Sequence, residues 1–105
     1  MATVTINQVN CLETTDGLGA DDLYINIDGN RVFGVQQIDT GEEAAVGASK
    51  TFGTKAKVSL WEYDSGSEDD LIGSFFAHSS QAGEGEHAVA LTGDGSRYDV
   101  FYTVD

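Results

Sequence analysis

The 105-residue sequence predicts an all-β fold, an antiparallel β-sandwich of about seven or eight strands. Three observations carry that expectation. Val, Ile, Thr, Tyr and Phe recur in short runs, the composition of pleated, half-buried strands. Thirteen glycines and no proline break those runs at turn-rich points. No convincing helix stands out between them. With 40% apolar residues the chain can bury one real core, so residues 1–105 are expected to form a single domain without linker or repeat.

The elements follow in order. In "TVTINQVNCLE" the apolar positions alternate at Val4 and Ile6 and resume at Val9 and Cys11, so the slip at Asn7-Gln8 predicts a bulge. "LYINIDGNRVFG" reads as two strands around a tight turn at Asp28-Gly29. "DTGEEAAVGASKTF" has room for a helical turn at 41–46, but Gly41, Gly47 and Gly53 bound it closely, and loop plus strand is expected. "KAKVSLWEY" sets Ala56, Val58 and Leu60 on one face of a core strand, and "LIGSFFAHS" is another strand. "EHAVALT" and "RYDVFYTV" form a last pair around Gly93-Asp94-Gly95. The aromatics Trp61, Tyr63, Phe75, Phe76, Tyr98, Phe101 and Tyr102 are expected in the core and on sheet faces.

Charge excludes several functions. Eighteen acids face five bases, a net charge of −13. Nucleic acid is excluded as a partner, because phosphate binding needs a basic surface. An anionic membrane repels such a protein. Lys50, Lys55 and Lys57 place three of the five bases within eight residues, too few to overcome that field. One cysteine, Cys11, allows no internal disulfide and reads as a small buried hydrophobe. His78 and His87 lack ligand-spaced partners, so zinc is not supported. No apolar stretch approaches the roughly 20 residues of a membrane span. No basic segment followed by an apolar core marks a secretory leader, which leaves the cytoplasm or a signal-less export route.

Half of the acids fall in two short segments. Glu13, Asp16, Asp21 and Asp22 lie in "CLETTDGLGADDLY", and Glu62, Asp64, Glu68, Asp69 and Asp70 lie in "WEYDSGSEDDLIG". Both segments join strands. At one end of a sandwich they would line a pocket with carboxylates, the ligand set of a hard cation. Calcium takes 6–8 oxygens in flexible geometry, which suits such loops better than the strict octahedron of magnesium. The EF-hand pattern fails: counted from Asp28, the fifth place is Val32 and the twelfth is Asp39.

The two loops together resemble those of C2 domains, the calcium-binding β-sandwiches of conventional protein kinases C and synaptotagmins. One C2 loop carries two Asp six places apart, then an aromatic and a strand. Here these are Asp16 and Asp22, followed by Leu23-Tyr24-Ile25, with Leu23 where the family usually has Pro. A later C2 loop carries an acid, an aromatic and an Asp after the strand end, then another Asp six places on, two apolar residues and Gly. Here it reads Trp61-Glu62-Tyr63-Asp64, then Asp70-Leu71-Ile72-Gly73, with Glu62 where Asp is usual. Val4, Ile6, Val9 and Leu12 resemble the opening strand, so the likeness runs from residue 4 to about 76.

The resemblance implies one or two Ca2+ ions held by Asp16, Asp22, Glu62, Asp64 and Asp70, with the loops 13–22 and 62–70 at the same end. Asp21, Glu68 and Asp69 are expected to set the field or donate backbone carbonyls, and Glu13 to be exposed. In the family, calcium also serves docking to phospholipid membranes. The tips here, Leu18 in one loop and Ser65, Gly66, Ser67 and Glu68 in the other, disfavour lipid and favour a protein or glycan partner, or a structural ion. Paired carboxylates can also do acid–base work, but no nucleophile–base pair can be named, so no catalytic residue is assigned and an enzyme is the remote reading.

Overall fold

A computed structural model describes residues 1–15 and 19–105; Asp16, Gly17 and Leu18 lie outside the described residues. Among the described residues eight strands form: β1 (Ala2–Glu13), β2 (Asp21–Ile27), β3 (Asn30–Ile38), β4 (Glu43–Phe52), β5 (Lys55–Glu62), β6 (Asp70–His78), β7 (His87–Leu91) and β8 (Arg97–Val104). They build two four-stranded antiparallel sheets, ordered β4-β1-β8-β7 and β3-β2-β5-β6. The only helical pieces among the described residues are 3₁₀ turns at Ser79–Gln81 and Gly93–Gly95. None of the helices is long and apolar enough to cross a membrane.

The alternation explains the layers. Val4, Ile6, Val9 and Cys11 of β1 and Tyr98, Val100 and Tyr102 of β8 point inward from one sheet. Leu23, Ile25 and Ile27 of β2, Val58 and Leu60 of β5, and Ile72 of β6 meet them from the other. Burying each such aliphatic chain favours folding by about 1.5–3 kcal/mol. The phase slip in β1 is a bulge: register shifts between Ile6 and Gln8 in both of its pairings. The β2–β3 turn holds Asp28 and Gly29 at φ 50° and 84°, the left-handed pair that a two-residue hairpin turn demands. Residues 41–46 contain no helical turn. β4 runs unbroken from Glu43 because β1 pairs with it from Ala2 to Asn10.

The fold also divides the lysines. Lys50 lies on β4 of one sheet, while Lys55 and Lys57 lie on β5 of the other, so the three bases form no single patch. Lys55 sits over the exposed Phe76 ring, 4.8 Å from its centroid. Elsewhere on that sheet Tyr24 and Trp61 pack nearly parallel, centroids 6.4 Å apart, and the Arg31 guanidinium lies 4.1 Å over the Tyr24 ring.

Candidate metal centre at the strand ends

Strand pairing brings the two acidic segments together. Leu23 near the start of β2 pairs with Glu62 at the end of β5, and Glu62 pairs with Asp70 at the start of β6. The Tyr63 amide donates to the Asp22 carbonyl at 2.8 Å, which ties the second loop to the first. The expectation that both loops share one end therefore holds.

The side chains divide into distinct environments. Asp22 is exposed; Glu62, Asp64 and Asp70 are half-buried. Burial and the negative charges of Asp21, Asp70 and Asp64 push the Glu62 carboxyl from 4.5 up to about 7. Acids gathered at the rim of an apolar core oppose one another's ionisation in this way. Asp64 behaves oppositely. Its carboxylate accepts from the Gly66 amide at 2.9 Å and the Ser67 hydroxyl at 2.8 Å, and these bonds hold it below the usual range. Asp16, the fifth expected ligand, lies outside the described residues, as does Leu18 at the first loop's tip.

Two acids expected to set the field also hold the loops. Asp21 is 2% exposed, because the β2 alternation puts it in phase with Leu23, Ile25 and Ile27. Its carboxylate accepts from the Thr15 amide at 3.0 Å, the Thr15 hydroxyl at 2.7 Å and the Tyr98 hydroxyl at 2.5 Å. Burial above all, with the Asp21 hydrogen bond next, drives the Tyr98 phenol far above its ordinary value. Burial likewise raises the Cys11 thiol, which pairs with Tyr98 across β1–β8. Asp69 accepts from the Tyr24 hydroxyl and from the Asp64 amide, the latter at 3.0 Å; the tyrosine bond is the main reason its carboxyl is held below the usual range. The period-2 phase of β2 marks Asp21 as inward-facing in the sequence alone, whereas no local signal pairs Asp69 with a tyrosine 45 residues away.

Asp22, Glu62, Asp64 and Asp70 offer oxygen donors alone, which fits calcium and not a soft metal. As they stand, no three His, Cys, Asp or Glu side chains among the described residues come together in an arrangement that could hold an ion.

No protein-family model matches the sequence, and no curated protein does. Solved structures do match. One is a C2 domain, at TM-score 0.65 and 18% identity, over 100% of this chain and 98% of that one. The chain has a C2-like fold. The C2A domain of plant extended synaptotagmin 1 superposes at TM-score 0.57 and 12% identity, over 98% of this chain and 90% of that one. Human GIVD cytosolic phospholipase A2, in complex with methyl gamma-linolenyl fluorophosphonate, matches at TM-score 0.57 and 17% identity. There the C2-like chain covers only 16% of the enzyme.

Proposed function

We propose that this C2-like chain is a calcium-binding module whose ligands are Asp16, Asp22, Glu62, Asp64 and Asp70. The observation that carries the reading is Glu62: burial and three neighbouring carboxylates raise it to about 7 at the meeting point of both loops. A divalent cation there would relieve that repulsion and supply the charge the pocket lacks. Five carboxylates exceed the charge of one ion, so two ions sharing bridging oxygens match the site best. Such an ion would take Asp64 oxygens from Gly66 and Ser67, groups of the same loop that water can satisfy instead.

The bound ion would organise the loops as a contact surface for a protein or glycan, or stabilise the sandwich. Membrane docking is the second reading, and the fold likeness to C2 domains favours it. Charge opposes it. Two calcium ions offset four of the 13 excess negative charges and leave about −9. Isothermal titration tests the calcium reading. Wild type should bind, and Asp64→Asn should weaken binding at least about tenfold. No heat, with no calcium-dependent shift in melting temperature, would refute it.

A further inference from the structure

The two loops are closed in the same manner. In the first, Asp21 takes the amide and hydroxyl of Thr15 and the hydroxyl of Tyr98 on β8. In the second, Asp69 takes the amide of Asp64 and the hydroxyl of Tyr24 on β2. Each tie joins the start of a loop to its end and fastens both to a strand tyrosine. Each carboxylate directly precedes an expected ligand, Asp21 before Asp22 and Asp69 before Asp70. We propose that Asp21 and Asp69 are positioning residues, not ligands: each ties the described ends of its loop, Thr15 to Asp21 and Asp64 to Asp69, before a cation arrives. This rests on the calcium reading above.

The bonding supports the assignment. Both oxygens of Asp21 are engaged, at a residue 2% exposed. Both oxygens of Asp69 are engaged as well, one of them by a neighbouring strand. The second tie continues outward, since the Arg31 guanidinium stacks on the Tyr24 ring. Without these ties the loop acids would repel one another, and Thr15 and Asp64 would be held less firmly in the metal-free protein, with the second loop fixed only at its Glu62–Asp70 base. A cation would then have to meet the cost of closing each loop. Paying that ordering cost during folding raises affinity without adding a ligand.

The test uses the full chain in three isosteric variants. Tyr24→Phe removes only the hydroxyl of the second tie, Thr15→Val only a hydroxyl of the first, and Asp69→Asn the charge. Two readouts are needed: amide hydrogen exchange in calcium-free protein, and calcium titration for affinity and stoichiometry. Tyr24→Phe should speed exchange of the Asp64 amide by roughly tenfold. Tyr24→Phe and Thr15→Val should each weaken calcium by about three- to tenfold at unchanged stoichiometry. Unchanged affinity in both would overturn the proposal. So would a loss of bound ions in Asp69→Asn, which would make Asp69 a ligand. Weakening in Asp69→Asn without weakening in Tyr24→Phe would also overturn it, because charge alone would then be acting. A wild type that takes up no calcium removes the function itself, and the proposal with it. That outcome is recognised before any variant is compared.

Discussion

Tyr98 and Asp21 lie 77 positions apart in the chain, yet the tyrosine hydroxyl donates to the carboxylate at 2.5 Å inside the sandwich rim. The bond joins β8 of one sheet to β2 of the other, so it crosses the interface between the layers. It also makes a buried carboxylate tolerable, because an ionised group without such partners would be expelled or neutralised. Removing the hydroxyl leaves the Asp21 charge short of one donor. Tyr98→Phe is therefore expected to cost about 1.5–3 kcal/mol, the value of a hydrogen bond to a charged group. Urea unfolding should show a lower midpoint at unchanged slope. A midpoint equal to wild type would show that Thr15 alone satisfies the carboxylate.

Glu62 should impose a pH dependence of definite sign. Its folded value, about 7, lies above the ordinary 4.5, so between those limits the folded protein binds more protons than the unfolded chain. Stability then falls as pH rises from about 4.5 to about 7. Asp64 and Asp69 act oppositely and elsewhere: both are held below 3.8, and their contribution is lost only as pH falls through that lower range. In calcium-free protein, Glu62→Gln should raise the melting temperature clearly at pH 8 and much less at pH 5. An equal gain at both pH values would separate Glu62 from the effect.

Calcium should stabilise the fold by linkage. At a hundred times its dissociation constant, a ligand that binds only the folded state adds about 2.7 kcal/mol. Chemical denaturation in saturating calcium and in EDTA measures the difference. Coincident midpoints would show that the carboxylates hold no ion in the folded protein.

Lipid docking is expected to be weak or absent. Phosphatidylserine vesicles present a negative surface to a chain of −13, and the field acts over about 8 Å at physiological salt. Ser65, Gly66, Ser67 and Glu68 give the second loop no basic or bulky apolar tip. Co-sedimentation in calcium, reversed by chelator and lost in Leu18→Ala, would establish the membrane reading instead.

The strands were legible because their faces are two-sided. Val4, Ile6, Val9 and Cys11 announce an inward face and its bulge, and Asp28-Gly29 announces a left-handed turn. β4 was harder, since Gly47 and the small residues Ala44, Ala45 and Ala48 carry little periodic signal; pairing with β1 decides it. At the strand ends, the acidity of both segments was plain, and the resemblance put them at the same end. The division of labour among the acids was not. Glu62 owes its raised value to burial and to charges from β2, the second loop and β6, and Asp69 finds its tyrosine across the sheet. Such effects arise only when distant segments meet.

The parallel packing of Tyr24 on Trp61 has an optical consequence. Trp61 is the chain's single tryptophan, directly before Glu62, and its neighbour's hydroxyl is bonded to Asp69. Indole emission from this chain thus comes from one known place beside the carboxylates. Tyr24 is close enough to pass its excitation to that indole with high efficiency. The unlabelled protein carries its own fluorescent gauge, whose colour and yield should register any rearrangement at the strand ends.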